Sequence, residues 1–324
     1  MFRALLAVVL ASVASFGTLA DAQTPAASVE QEASLPRVRQ REATETTLIS
    51  QDGLEYRILV STPRGQAPDG GFPVFYVLDG DAFFATAIEI ARMREWGRLS
   101  PSIIVGVAYP SRSFYDGPRR TYDFTPPGEV DPDFVASELG GANQFLGFLT
   151  NELKPWVAAH YRVDPSRQII FGHSLAGMFV LHAMVTAPRS FDVYLVASPT
   201  LRFSNSFIVR EVAGFAARGD GFGVRALITV GTLEGPPGQQ QIDDYRRYFI
   251  AHPESTGGLE REEALRQLFP SDGFNKVRET RRLAQRLSRS GATVSFIPFE
   301  GEEHLPAGVS ALSRGIPFAL RPAH

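Results

Sequence analysis

The stretch that decides the fold is Gln168-Ile169-Ile170-Phe171-Gly172-His173-Ser174-Leu175-Ala176-Gly177. Its apolar, β-branched beginning is typical of a buried strand, and the segment 178–187 that follows is typical of a helix. Between them lies a Gly-x-Ser-x-Ala-Gly turn, in which glycine and alanine leave room for a sharp change of direction. A strand, a sharp turn and a helix in this order present a serine hydroxyl at the end of a parallel sheet. The stretch therefore predicts Ser174 as a nucleophile.

The composition of the 324-residue chain excludes several classes of site. Cysteine is absent, which excludes disulfides, thiolate metal sites and a cysteine nucleophile. The formal net charge of −3 gives no indication of nucleic-acid binding or of a strongly basic membrane-binding face. We therefore expect no nucleic acid among the partners.

Residues 1–22 are typical of a secretory signal peptide. Arg3 gives a positively charged start, the residues from Ala4 to Ala20 are almost all apolar or small, and Ala20-Asp21-Ala22 fits a cleavage site. The apolar segment is short and rich in alanine, serine and glycine, which disfavours a membrane span and leaves an uncleaved anchor as the alternative. We expect cleavage after Ala22 and a periplasmic or secreted protein without stable membrane insertion, and the absence of cysteine favours the periplasm.

Beyond a predicted flexible segment at 23–42, the region 43–324 alternates between strand-like and helix-like segments. Two runs, 44–50 and 54–61, flank Gln51-Asp52-Gly53, which predicts a hairpin. Besides the strand before Ser174, strands are predicted at 73–78, 103–108, 193–197, 226–230 and 293–298, and helices at 82–99, 145–157 and 277–287. This alternation predicts one catalytic α/β domain, with a mostly parallel central sheet, helices on both faces and an antiparallel N-terminal edge.

Two long segments, 110–139 and 235–273, interrupt the alternation. Loops that leave the carboxyl ends of strands line the ligand crevice of an α/β sheet, so we interpret both as cap or pocket elements, with solvated decoration as the alternative. The first carries the candidate substrate-binding residues Arg112, Arg119, Arg120 and Tyr122. Their guanidinium groups and rings suit an anionic or catechol-bearing ester. Pairing of these arginines with nearby acids such as Asp116 and Asp123 is an equal alternative.

A serine nucleophile on this topology needs an acid after a later strand and a histidine near the end of the chain. His304 follows the final predicted strand, where such a fold delivers its general base. His173 precedes the serine, so its side chain is expected to point away from the hydroxyl. We therefore predict His304 as the base in preference to the other histidines, which are His160, His173, His182, His252 and His324.

Glu234 is the predicted acid, because it follows the strand at 226–230 and a carboxylate there can accept the Nδ1–H of the histidine. A solvated loop glutamate is the alternative, and a Ser–His dyad without an essential acid is another. The rival carboxylates are Asp243, Asp244, Glu302 and Glu303.

The oxyanion hole is predicted to combine two backbone N–H groups. One belongs to Leu175, directly after the nucleophile. The other belongs to Gly80 or Asp81, in the loop after the strand at 73–78, and the residues leave both choices open. An ordinary tight turn at 79–81 is the alternative.

Five motifs recur in order along residues 43–320, and they resemble the esterase-D-like α/β-hydrolases. The motifs are Tyr76-Val77-Leu78-Asp79-Gly80-Asp81, Arg120-Thr121-Tyr122-Asp123-Phe124-Thr125-Pro126, Gly172-His173-Ser174-Leu175-Ala176-Gly177, Ala197-Ser198-Pro199 and Glu302-Glu303-His304. The chain is most similar to the branch around the periplasmic enterobactin (trilactone siderophore) esterases. The resemblance implies an α/β-hydrolase fold with Ser174 as nucleophile, His304 as base and a glutamate after the seventh strand, which Glu234 matches. Some siderophore esterases of this branch work with a dyad. Ala176 stands where glycine is commoner, and the long 235–273 segment is less typical.

Together these observations predict an exported serine esterase that hydrolyses carboxylic esters through an acyl-enzyme, with siderophore lactones as candidate substrates. We expect a small-molecule ester as the partner and no metal ion or cofactor. An acyltransferase on the same fold, like its mycolyl-transferring relatives, is one alternative. A catalytically silent periplasmic binding protein is the other.

Overall fold

The structure is a computed structural model, and it describes residues 42–95, 99–131, 138–253, 260–268 and 273–321. The predicted signal peptide and nearly all of the predicted flexible segment at 23–42 lie outside these residues. Within them, no helix combines the length and the apolar character that crossing a membrane requires.

The centre of the described part is one eight-stranded sheet with the strand order β1-β2-β4-β3-β5-β6-β7-β8. Its strands are β1 (Ala43–Ile49), β2 (Glu55–Ser61), β3 (Phe72–Val77), β4 (Ile103–Ala108), β5 (Val163–His173), β6 (Val193–Ala197), β7 (Arg225–Gly231) and β8 (Thr293–Phe299). β2 pairs antiparallel with both β1 and β4, and every other pair is parallel. The predicted sheet with its antiparallel N-terminal edge is therefore confirmed.

Helices cover both faces of this sheet. They are α1 (Gly80–Glu95), α2 (Gly117–Phe124), α3 (Ala142–Gly147), α4 (Lys154–His160), α5 (Leu175–Thr186), α6 (Phe203–Arg218), α7 (Gln239–Ala251), α8 (Arg261–Leu268), α9 (Lys276–Arg289) and α10 (His304–Leu320). A π-helical segment, Phe148–Leu153, joins α3 to α4, so the single helix predicted at 145–157 is longer and irregular. α6 contains left-handed backbone angles at Ser204, Asn205 and Ser206.

The alternation of side chains along the strands divides the apolar core into two layers. In β3, Val74 and Tyr76 join the layer under α5, α6 and α9, whereas Phe75 and Val77 join the layer under α1 and α10. All four are fully buried, which explains why the run has no polar face in sequence. The parallel register, with Val77 opposite Phe171, then brings the ends of β3 and β5 to the same edge of the sheet.

The two segments that interrupt the alternation contain helices. Segment 110–139 contributes α2, whose Asp123 and Phe124 are buried, so α2 is part of the folded core. Segment 235–273 contributes α7 and α8, which share a small apolar cluster of Phe249, Ala264 and Leu265.

Candidate active site

The turn after β5 holds Ser174 in a backbone conformation that side chains rarely adopt. Its φ is 60° and its ψ is −118°, and α5 begins at the next residue, Leu175. Close packing forces this geometry, because a Cβ built on Gly172 would lie 2.4 Å from the carbonyl oxygen of Ala176. Backbone strain of this kind persists when the surrounding structure over-determines it, and such strain clusters at functional sites.

Neighbouring backbone groups fix the turn from both sides. The Ser174 N–H donates to the carbonyl of Ala197 at the end of β6 (3.0 Å). The Ser174 carbonyl accepts from the N–H groups of Met178 and Thr200, each at 3.0 Å. These bonds leave the hydroxyl of Ser174 as the group that the turn presents.

The three residues of the predicted triad lie in one line of contacts. His304 is the first residue of α10, and its Nε2 is 2.9 Å from the Oγ of Ser174. Its Nδ1 is 2.5 Å from Oε2 of Glu234, which ends a 3₁₀ turn, Thr232–Glu234, after β7. In this arrangement the ring can accept the serine proton on Nε2 while Nδ1–H donates to the carboxylate.

The carboxylate of Glu234 is surrounded by donors. Oε1 accepts from the hydroxyl of Ser198 (2.6 Å) and the N–H of Gly231 (2.9 Å). Oε2 accepts from the ammonium of Lys276 (2.6 Å) and faces the ring of His304. Because only 5% of the Glu234 side chain is exposed, these donors replace water around its charge.

The loops that carry the acid and the base are also tied together. The N–H of Leu233 donates to the carbonyl of Glu302 (3.1 Å), and the N–H of Gly301 donates to the hydroxyl of Thr232 (2.9 Å). A Cβ on Gly231 would lie 2.2 Å from the same Glu302 carbonyl oxygen, so only glycine permits this approach. The separation between Glu234 and His304 is therefore set by backbone contacts.

The local charges favour an ionised acid and a neutral base. Burial alone would raise the pKa of Glu234, but the ammonium of Lys276 and the hydrogen bond with His304 hold it well below its usual range. Burial lowers the pKa of His304, and the ammonium of Lys276 lowers it further against the opposing charge of Glu234. A neutral imidazole is the form that can take a proton from a hydroxyl.

His173 lies on the other side of the strand end, as the alternation of the strand predicts. Its Nε2 is 2.8 Å from the backbone oxygen of His304, and its Nδ1 is 3.4 Å from the hydroxyl of Tyr115. Burial holds its pKa well below the usual range, and the charge of His304 lowers it further. His173 therefore supports the backbone of His304 as a neutral side chain.

Most of the other histidines and rival carboxylates contact residues outside the Ser174–His304–Glu234 line. His182 contacts Glu211 and Asn143, His160 contacts the carbonyl of Trp156, His252 stacks on Tyr248, and His324 lies outside the described residues. Asp243 pairs with Arg246, Asp244 pairs with Arg247, Glu302 accepts from Ser310, and Glu303 is the residue before α10.

The predicted oxyanion residues lie at two helix N-termini beside the serine. Leu175 begins α5, and Gly80 and Asp81 begin α1, where the first N–H groups of a helix have no intrahelical acceptor. In the turn before α1, the residue with left-handed backbone angles is Asp79, with φ 51°, and not Gly80. A side chain at Gly80 would be crowded, because a Cβ there would lie 3.1 Å from both the backbone of Val107 and the side chain of Ala108.

Two arginines hold the turn at 79–81. Both oxygens of Asp79 accept from Arg120 at 3.0 Å, and both oxygens of Asp81 accept from Arg57 at 3.0 Å. The Arg120–Asp79 pair is buried and also packs under the ring of Tyr115, 4.6 Å from the guanidinium carbon. Arg120, a candidate for substrate contact, thus has a partner that lies outside the acids considered from sequence.

The remaining candidates for substrate contact also have protein partners. Arg119 donates to the carbonyl of Glu55 (3.4 Å) and lies 3.9 Å from Asp123. Arg112 pairs with Glu45, although 63% of its side chain is exposed. The ring of Tyr122 packs against Gly141, where an added Cβ would lie 2.3 Å from it. Arg112 is therefore the most exposed of the three arginines.

Two residues that contact Glu234, Ser198 and Lys276, were not predicted as site residues from the sequence. Ser198 follows β6, and its position at the carboxyl end of a strand next to β7 is a signal that places a polar side chain near Glu234. Lys276 gives no such signal, because it comes from the start of a helix that follows the long 235–273 segment and not from the end of a strand. Its approach to Glu234 depends on the packing of α9 against the sheet.

Helix α7 borders the site. The Nε2 group of Gln241 donates to the carbonyl of Leu233 (3.1 Å), next to the acid. Burial raises the pKa of Tyr245 to about 12, and the carboxylate of Glu303, next to the base, contributes. In the part of the chain that the structure describes, no group of three or more His, Asp or Glu side chains is arranged to hold a metal ion.

Comparisons with known proteins show the family of the chain. A family model described as "putative esterase" matches residues 50–234. The chain belongs to this family. The ferri-bacillibactin esterase BesA of Bacillus subtilis (strain 168) is 30% identical over 279 residues, which span 82% of this chain and 85% of that protein. The siderophore enterobactin esterase of Emericella nidulans is 38% identical over 176 residues, which span 49% of this chain and 58% of that protein.

The fold is also that of a solved siderophore hydrolase. The structure of EstA from Aspergillus nidulans superimposes with a TM-score of 0.70 at 28% identity, covering 94% of this chain and 98% of that one. The predicted α/β-hydrolase fold and the resemblance to siderophore esterases are therefore confirmed. This chain is therefore an enzyme that hydrolyses carboxylic ester bonds.

The strain at Ser174 predicts an unusual order of stabilities. Ser174→Gly is expected to be about 1 kcal/mol more stable than Ser174→Ala in chemical denaturation, because strain of about 1–3 kcal/mol outweighs the extra freedom of unfolded glycine. Ser288, an exposed residue within α9, is the control. There the glycine variant should be less stable than the alanine variant by about 0.5–1 kcal/mol. The same order at both positions would contradict strain at the turn.

Proposed function

We propose that this chain is an exported serine esterase in which Ser174 is the nucleophile, His304 the general base and Glu234 the acid that orients it. The observation that carries the proposal is the continuous line of contacts, 2.9 Å from Ser174 Oγ to His304 Nε2 and 2.5 Å from His304 Nδ1 to Glu234. A nucleophile, a base within hydrogen-bond reach and a third group that orients the base are the signature of nucleophilic catalysis.

The reaction follows in two halves. In the first half, Ser174 Oγ attacks the ester carbonyl carbon while its proton moves to Nε2 of His304. The tetrahedral intermediate collapses, and the leaving alcohol takes that proton, so that the acyl group stays on Ser174. In the second half, water attacks the acyl-enzyme, His304 again takes and returns the proton, and the free acid leaves.

The charge that develops on the carbonyl oxygen requires backbone donors. We assign this role to the N–H of Leu175 together with that of Gly80 or Asp81. Their placement at the starts of α5 and α1 supports the assignment, since helix N-termini favour negative charge. The buried pair of Arg120 and Asp79 then acts by holding the second turn in position.

The proposed substrate is an ester of the siderophore-lactone type. Two relatives are named as esterases of ferri-bacillibactin and of enterobactin, which supports this substrate class. The aromatic and cationic side chains of 110–139 also support it. Arg112 is the best placed of the predicted substrate residues to bind an anionic group, because its side chain is largely exposed. The 235–273 segment, which contains α7, is proposed as a cap, supported by the contact between Gln241 and Leu233.

Export is proposed from the signal peptide predicted at 1–22. N-terminal sequencing of protein recovered from the periplasm or the medium should begin at Gln23. Recovery of an intact N-terminus in a membrane fraction would instead indicate an uncleaved anchor.

The central prediction is ester hydrolysis that depends on Ser174. Wild-type protein should convert members of an ester panel to free acids; the panel comprises catecholate trilactones, feruloyl esters and short acyl nitrophenyl esters. Ser174→Ala should lower kcat/KM by about 10³-fold or more, because the nucleophile is lost. Ser288→Ala, at the exposed serine of α9, should match the wild type.

Product analysis separates the alternatives in the same assay. Free acid as the product in the presence of a competing alcohol or sugar supports hydrolysis, whereas an acylated acceptor supports an acyltransferase. Folded wild-type protein that binds these esters without turning any of them over would contradict the proposal and favour a binding protein.

A further inference from the structure

The use of lysine in this chain is restricted to two positions. The sequence has 32 lysine and arginine residues, and the lysines among them are Lys154 and Lys276. Lys154 donates to the carbonyl of Ser190 (2.7 Å) and contacts the ring of Phe191, away from the serine. Lys276 is the first residue of α9 and reaches the acid–base pair itself.

The ammonium of Lys276 lies between the acid and the base. Its Nζ is 2.6 Å from Oε2 of Glu234 and 3.1 Å from Nδ1 of His304. The Nδ1 of His304 is 2.5 Å from the same Oε2. One carboxylate oxygen therefore serves two cationic or potentially cationic partners that are in contact with each other.

This arrangement has a definite consequence for the base. An ammonium group has donors and no acceptor, so Lys276 cannot receive the Nδ1–H of His304. The contact of 2.5 Å between Nδ1 and the acceptor Oε2 of Glu234 needs a proton between the two atoms, so in the neutral ring Nδ1–H donates to Glu234 and Nε2 is left free to accept the serine proton. When the ring is doubly protonated, its positive charge faces the ammonium at 3.1 Å, and part of the carboxylate charge is already compensated.

We propose that Lys276 is a positioning residue that shares the carboxylate of Glu234 with His304 and thereby keeps His304 in its unprotonated, base-competent form in mildly acidic medium. The inference rests on the proposed esterase function. It adds that Lys276, through its contacts with Glu234 and His304, sets the pH range in which the esterase works.

The start of α9 fixes the position of Lys276. The side chain of Asn275, at the N-cap, accepts from the N–H of Arg278 (2.9 Å), which orients the first turn of the helix. Only 15% of the Lys276 side chain is exposed, so its charge is poorly screened by water.

Several groups around His304 lower its pKa, and Glu234 opposes them. Burial is the first cause that lowers the pKa of His304, Lys276 follows, Glu234 raises it, and Arg120 on α2 lowers it. The neighbouring ring of His173 has a pKa well below its usual range, chiefly through burial, and so adds no positive charge. Removal of the lysine charge leaves the opposing Glu234 charge in place, and the pKa of His304 should therefore rise.

The test is a pH titration of His304 in the full chain, read by NMR of isotope-labelled histidine and assigned with His304→Gln. In Lys276→Met the transition should move up by about one pH unit, the lower end of the range for a neighbouring charge. Lys276→Arg, which keeps the charge, should titrate close to the wild type, and Lys154→Met should not move the transition. If Lys276→Met shows no thermal unfolding transition and is therefore not folded, Lys276→Gln takes its place.

The acid limb of kcat/KM against pH gives the second readout. It should move with the NMR transition, so that Lys276→Met is about tenfold less active than Lys154→Met one pH unit below the wild-type limb. An unchanged NMR transition in Lys276→Met overturns the role of Lys276. A shifted transition in a protein without ester turnover leaves that role intact and overturns the esterase function instead.

Discussion

The site depends on one buried charge, the carboxylate of Glu234. Its two oxygens receive the hydroxyl of Ser198, the N–H of Gly231 and the ammonium of Lys276, and they face the ring of His304. These partners come from the ends of β6 and β7 and the starts of α9 and α10. A buried carboxylate is costly unless such donors surround it, so the same contacts that stabilise the charge also bring four elements to the serine.

The serine meets this cluster because the backbone around it is over-determined. Gly172 packs against the start of α5, the Ser174 backbone bonds to Ala197, Met178 and Thr200, and the residue itself takes a positive φ. The neighbouring turn at Asp79 is also left-handed, and the arginine beneath it is buried. Two helix N-termini thus lie at one edge of the sheet, which is the arrangement that the proposed oxyanion hole requires.

Most of the fold was predictable because its signals are local. The apolar runs at β3, β4 and β6, the turn at Ser174 and a histidine after the last strand each depend on a few consecutive residues. Parallel pairing then brings strand ends together, which is why Ser174, Glu234 and His304 could be selected before their distances were known.

The partners of the charged side chains were less predictable, because they depend on packing between distant segments. Arg120 pairs with Asp79, 41 positions earlier, rather than with the nearby acids Asp116 and Asp123. Lys276 reaches Glu234 across 42 positions, from a helix that follows the long 235–273 segment. The left-handed residue of the turn before α1 is Asp79 and not Gly80, and Gly80 instead lies close to the end of β4.

The central claim is that Ser174 is the activated nucleophile, and a fluorophosphonate probe tests it most directly. Mass spectrometry of the folded protein should find one adduct, on Ser174, and none in Ser174→Ala. Labelling should also be much slower in His304→Gln, since the base is lost while the hydroxyl remains. Folded wild-type protein that stays unlabelled, or that is labelled equally in Ser174→Ala, would contradict the account.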